Sequence, residues 1–182
     1  MTLREHLDRF YQQYNIPPEG GVHDKTFEVP LPFVKLTLPN FPWRRRMLYV
    51  HDLEHILNQQ DTSWSGEIFI ASWEISTGFF RNFPVIFFPL WTMGWGVWTH
   101  PKSVFSGFRK GHTDHGIATL KIGYDEILEY NLPQLQALTL NKRAGRMTFL
   151  LYIRLIVWVL VSQLIFLSPA LFLFSLLFFS FK

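Results

Sequence analysis

From 155 to 181 the chain runs 27 residues without a charged side chain. As a helix that run extends roughly 40 Å, enough for one tilted membrane crossing, which takes about 20 apolar residues. A core helix this long and apolar on every side would be out of proportion in a chain of 182 residues. Ser168-Pro169 falls in its middle and predicts a kink, or a re-entrant hairpin turning at that point. Lys142, Arg143, Arg146 and Arg154 cluster before the run and only Lys182 follows it. The positive-inside rule therefore puts the remainder on the cytoplasmic side, or its mitochondrial matrix equivalent, of an inner membrane.

The tail also explains the charge balance. The net charge of +3 includes five bases and no acid after Asn141, leaving twelve bases against all fourteen acids in 1–140. The folded part is thus slightly acidic, which argues against nucleic acid as a partner. Its one dense basic run, Arg44-Arg45-Arg46, reads as a solvated face or a lipid-headgroup contact. With 19 Phe and 7 Trp, the chain needs a core, lipid or an apolar ligand to cover its aromatic load. The absence of Cys excludes disulfides, thiolate ligands and a Cys nucleophile.

Periodicity predicts a mainly α fold. The expectation is a compact helical domain over 1–140 with a small extended segment near its N-terminus. A basic linker and a single C-terminal transmembrane helix then occupy 141–182. Residues 2–15 carry Leu3, Leu7, Phe10 and Tyr11 at helical spacing. Residues 27–38 alternate loosely around Pro30 and Pro32, as an edge hairpin would. Helices are predicted at 45–59, 66–80 (with Thr62, Ser63 or Ser65 as N-cap), 117–129 and 132–140. The apolar stretch 83–98 reads as a buried or interfacial segment rather than a straight helix, because of Pro84, Pro89, Gly94 and Gly96. Residues 107–116 read as a polar loop or helix start.

The chemistry sits in His51-Asp52-Leu53-Glu54-His55, with eleven residues between His55 and Glu67. Positions i and i+4 stand one turn apart on a helix, so both imidazoles can reach one ion. Asp52 is a third ligand or the acceptor that fixes an imidazole tautomer. Glu67, opening the next helix, returns to face the pair. Two His with one or two carboxylates suit zinc foremost, with iron or manganese as alternatives, better than calcium, which takes oxygen ligands. Glu74, seven residues after Glu67, either supports a ligand or is an ordinary packed or exposed Glu. His112 and His115, after Arg109-Lys110, offer headgroup or ring contacts, or merely cap a helix N-terminus. Trp91 and Trp95 wall an apolar tunnel on one reading and are plain core on the other.

The pattern His-Asp-x-x-His, eleven residues, Glu resembles the signature of the Coq-four family of ubiquinone (coenzyme Q) biosynthesis proteins. Gly66 immediately before Glu67 matches the family too. Phe108-Arg109-Lys110-Gly111 is similar to its aromatic-Arg-basic-Gly stretch. Tyr124-Asp125-Glu126-Ile127-Leu128 through Leu132-Pro133-x-Leu135 is similar to its closing helices. The resemblance spans roughly 42–140. It implies a helical fold and a divalent metal on His51, Asp52, His55 and Glu67. It also implies a prenylated benzoquinone precursor as ligand, ring decarboxylation or hydroxylation as the step, and other quinone-biosynthesis proteins as partners. Arg109, Lys110, His112, His115, Trp91 and Trp95 are the matching candidates for substrate contact. Gln59-Gln60-Asp61 departs from the family's glycine-rich turn, and the hydrophobic tail is an addition. Two alternatives remain: a non-enzymatic isoprenoid-binding scaffold, and a fatty-acyl desaturase or hydroxylase, whose histidine boxes the two His pairs resemble. The second lacks a third box and further spans.

Overall fold

The computed structural model describes residues 1–30, 35–79, 83–140 and 146–180. The turn of the predicted hairpin, the flanking bases Lys142 and Arg143, residues 80–82 and Lys182 lie outside them. Within this set eight α-helices surround one small hairpin, so the mainly α expectation holds.

Helix α1 (Leu3–Tyr14) starts where Thr2 and Glu5 form a reciprocal capping box, and it buries Leu3, Leu7, Phe10 and Tyr11. Strands β1 (Thr26–Pro30) and β2 (Lys35–Pro39) pair antiparallel, Thr26 opposite Pro39. Arg44 lies 3.5 Å from the centre of the Phe27 ring and donates to Asn40 Oδ1, while Arg45 Nε–H donates to the Asn40 carbonyl. Two of the three arginines therefore hold the hairpin and serve neither expected role.

Helix α2 (Pro42–Asn58) begins earlier than predicted, because Pro42 at its first position needs no hydrogen bond there. Helix α3 (Trp64–Thr77) is the central element. Residues 70–76 are all buried, so it is enclosed on every side. Two apolar clusters meet across it. The first unites α1, α2, Trp73, α6 (Tyr124–Leu128) and α7 (Leu132–Thr139). The second unites Ile68 and Ile75 with α4 (Phe87–Thr99), α5 (Pro101–Gly111) and the start of α8 (Phe149–Ser180).

Three expectations fail here. The 83–98 segment does form a helix, α4, because Pro84 precedes it and Pro89 falls within its first turn, where no N–H is needed. Residues 101–111 are a helix, so of the loop or helix start expected over 107–116 only 112–116 is irregular. Gly107 and Gly111 do not break it. They let it approach α3. Residues 117–129 hold only a 3-10 turn (Ile117–Thr119) and α6, since Lys121 adopts a left-handed φ of 57°.

A Cβ at Gly107 would stand 2.2 Å from the Phe69 carbonyl oxygen. Alanine would gain about 1 kcal/mol in helix propensity. Forcing α3 and α5 apart costs typically 1–3 kcal/mol, about as much or more. Gly107→Ala is therefore expected to lower the midpoint of denaturant unfolding. A raised midpoint would mean that the helices separate freely.

Helix α8 runs unbroken through Pro169 over its described length. Its window Phe149–Phe172, of mean hydropathy 2.3, is long and apolar enough to cross a membrane. It is not set apart from 1–140: Leu151 joins the second cluster, and Leu155, Trp158 and Ile165 pack against it.

Candidate metal centre

Helix α2 presents His51 and His55 one turn apart, then ends at Gln59, which takes the left-handed conformation (φ 54°) that glycine adopts more easily. That is the place where the resembled family has a glycine-rich turn. Ser63 caps α3 by accepting the Gly66 N–H. The turn is tight enough that a Cβ on Gly66 would overlap the Asp61 carbonyl oxygen. Glycine there allows the closure that brings Glu67 opposite the two histidines.

Three ligand atoms converge. His51 Nε2 and His55 Nε2 lie 3.3 Å apart, with Glu67 Oε2 3.3 Å from the first and Glu67 Oε1 3.4 Å from the second. Two nitrogens bound at about 2.0–2.1 Å to one tetrahedral ion stand roughly 3.3–3.4 Å apart. The observed spacing is thus one edge of such a tetrahedron. The other ring nitrogens are engaged elsewhere. His51 Nδ1–H donates to Glu74 Oε1 at 3.0 Å, and His55 Nδ1–H donates to the Gln60 carbonyl at 3.3 Å. With both Nδ1 atoms engaged, the two Nε2 atoms and the Glu67 carboxylate converge on one position that either a proton or a metal cation can occupy.

The electrostatics point the same way. Burial works to lower the His51 imidazole, but the Glu74 and Glu67 carboxylates outweigh it and raise it well above its usual value. Burial works to raise Glu67, yet hydrogen bonds from His51 and His55 hold it well below the usual carboxylate range. Behind Glu74 lies Glu54, wholly buried, with no donor reaching either oxygen. Burial and the adjacent Glu74 push its carboxyl far upward. His51, Glu54 and Glu74 form a second group of ligand atoms within 4.8 Å of one another, sharing His51 with the first.

Asp52 belongs to neither group. One position past His51 it points about 100° around the helix, toward α1, where Tyr11 O–H donates to its Oδ2 at 3.0 Å. Burial raises both groups, which keeps the phenol protonated as donor. Glu74, and not Asp52, fixes the His51 tautomer. Nothing in the sequence separated the two Glu74 readings, whereas Glu54 was overlooked although it follows His51 by three residues on the same face.

The expected substrate contacts lie elsewhere. Gly111, amid Arg109, Lys110, His112 and His115, abuts Trp73 and Ser76, roughly 9–14 Å further along α3 than Glu67. Arg109, His112 and His115 are exposed, and His112 follows a helix C-terminus rather than opening a helix. Lys110 is engaged with Asp114, which also accepts the Trp73 indole N–H. Trp91 and Trp95 pack on Phe166. None of the six lines the cleft that reaches His55. That cleft, about 420 Å³, is formed by Phe10, Gln13 and Tyr14 of α1, Ile56 of α2 and the 59–66 turn.

What this geometry offers is a three-donor cation site with one buried and two partly exposed ligands, opening beside a mixed polar and aromatic cleft. Comparison with protein-family models, with curated proteins and with solved structures returns no match to this chain.

Proposed function

We propose that this protein holds one divalent ion, zinc foremost, between His51, His55 and Glu67, and handles a prenylated benzoquinone precursor at a membrane, as its resemblance to the Coq-four family implies. The observation that carries the reading is the pair of pinned imidazoles. Glu74 and the Gln60 carbonyl turn both Nε2 atoms and the Glu67 carboxylate onto one point. An ion there supplies Lewis acidity toward an oxygen substituent of a ring, such as a carboxylate or hydroxyl. Decarboxylation, in which the ring carbon loses CO2 and takes up a proton, is the corresponding step; hydroxylation would need iron in the site and dioxygen as the oxidant.

The chain's own residues supply the rest of the task. His55 is buried and sets the floor of the site, while His51 and Glu67 are about one-third exposed and face incoming ligand. Gln13, Gln60 and Ser63 can hydrogen-bond ring substituents, and Phe10, Tyr14 and Ile56 can lie against the ring face. The cleft has room for a ring and not for a long prenyl chain, which must leave it for an apolar environment. The apolar α8 supplies that environment, with the helical domain on the cytoplasmic or matrix side of an inner membrane.

Glu67→Ala is expected to reduce quinone content at least tenfold in a host that depends on this chain, with protein level and membrane location unchanged. In parallel, purified metal-loaded protein is titrated with a prenylated hydroxybenzoate and with a fatty acid of equal length. Binding and conversion of the first supports the reading. Binding without any effect of Glu67→Ala on quinone content would make the protein an isoprenoid-lipid scaffold. Preference for the fatty acid would replace quinone chemistry with acyl-lipid chemistry.

A further inference from the structure

We infer that α4 lies at bilayer depth beside α8, so that lipid covers one continuous apolar face made of Phe83, Phe87, Trp98 and the outer side of α8. A crossing needs about 20 residues. Any 20 consecutive residues within Phe149–Phe172 include 153–168. Those are the residues on which α4 is seated. A Cβ on Gly94 would stand 2.6 Å from Phe166 Cβ and 2.7 Å from the Ser162 carbonyl oxygen, so the two helix backbones touch. Such close crossings at small residues are how helices associate in lipid. If α8 crosses, α4 goes in with it.

The polar groups in that stretch agree. Gln163 stands inside a predominantly apolar run, where an unpaired amide is strongly unfavourable. Its Nε2–H donates to the Gly94 carbonyl at 2.8 Å, and its Oε1 accepts the Trp98 indole N–H at 2.9 Å. Both partners belong to α4. Arg154, the one charge within 153–168, turns inward and donates to the Ser76 carbonyl at 2.9 Å. No charged residue occurs from Phe83 to Thr99. Yet Phe83 is 77% exposed and Trp98 69%, a poor arrangement in water and a natural one in lipid.

Lipid is the occupant the chemistry selects, because α4, uncharged from Phe83 to Thr99, is packed directly on the candidate span. The depth of α4 also bears on the proposed function, and that consequence rests on it. Phe166, Trp95 and Trp64 form a chain of ring contacts at 6.1 and 6.4 Å that ends beside Ser63 and Ser65 of the cleft. A prenyl chain leaving the cleft along those rings would enter hydrocarbon directly.

The chain has no Cys, so single cysteines can carry a nitroxide without removing native ones. The full-length protein is reconstituted in phosphatidylcholine–phosphatidylglycerol vesicles after Phe83→Cys, Phe87→Cys or Thr99→Cys on and beside α4. Leu164→Cys serves as the α8 reference and Glu129→Cys as the aqueous one. Relaxation by oxygen relative to a water-soluble nickel chelate is expected to be at least tenfold higher at 83, 87 and 164 than at 129, with 99 following them. Chelate access at 83 and 87 with 164 still in lipid would overturn the inference, since α8 would then enter alone. Exclusion of both reagents at 83 and 87 would also overturn it, by showing a second copy or another protein on this face. Neither outcome depends on the ion or on any quinone precursor being bound.

Discussion

His55→Ala is expected to purify without the divalent ion that the proposed site would hold, at about one per chain, in the wild type. His55 is 1% exposed and supplies one of three converging ligand atoms, and among the described residues the group it belongs to holds only His51 and Glu67 besides. The nearest candidate by sequence, Asp52, is turned away and held by Tyr11. Graded effects separate the roles. Glu74→Gln keeps an acceptor for His51 Nδ1–H but loses its charge, and should weaken metal affinity by about 10–100-fold, the usual cost of losing such a supporting partner. Asp52→Asn should retain the ion and lose only about 1 kcal/mol of stability from its bond with Tyr11. Elemental analysis gives the stoichiometry, and competition with a chelator gives the affinities. Loss of the ion in Asp52→Asn as complete as in His55→Ala would show that Asp52 is a ligand and that the bound arrangement differs from this one.

The contrast between Asp52 and Glu74 shows how much of the site could be read from the chain. His51, His55 and Glu67 were legible because helical spacing fixes the first two and an N-cap serine announces the start of the helix bearing the third. Asp52 sits inside the motif and so looked like a ligand, although its position on the helix already directs it away from the i, i+4 face. The cleft was not legible at all. It joins α1 to the α2–α3 turn, and no local pattern records contacts between segments more than forty residues apart. The same division runs through the fold. Elements with caps and clean periodicity, α1, α3 and α7, fell within a residue or three of expectation. Helix α4 was not legible because its prolines and glycines read as breakers, and of α5 only the end from Gly107 was read, as a polar loop or helix start. In α5 the glycines are contact points whose purpose lies on the partner helix.

That lesson changes what is expected of a shortened chain. The sequence suggests that removing 147–182 would free an intact metal domain from the membrane. The packing of α8 argues instead that the product will aggregate unless detergent is present. Leu151 would leave the second cluster, and Leu155, Trp158, Val159, Val161 and Ile165 would no longer cover it. At about 1.5–3 kcal/mol for each fully buried large apolar side chain, and less for these partly buried ones, the loss is on the order of 5–10 kcal/mol. A whole domain has about 5–15 kcal/mol of stability, so the α4 side of the protein should not survive the deletion folded. The Gly94 and Ser76 carbonyls lose the donors that Gln163 and Arg154 provide, which adds to the penalty. The first cluster, with α1 and α2, makes no contact of this kind with α8 and should keep its helices. Glu67 and Glu74 reside on α3, between the two clusters, so metal binding should fail along with the second. Gel filtration without detergent, together with metal content, reads both consequences. A monomeric, metal-loaded 1–146 would show that α8 is only an anchor and that α4 can face water.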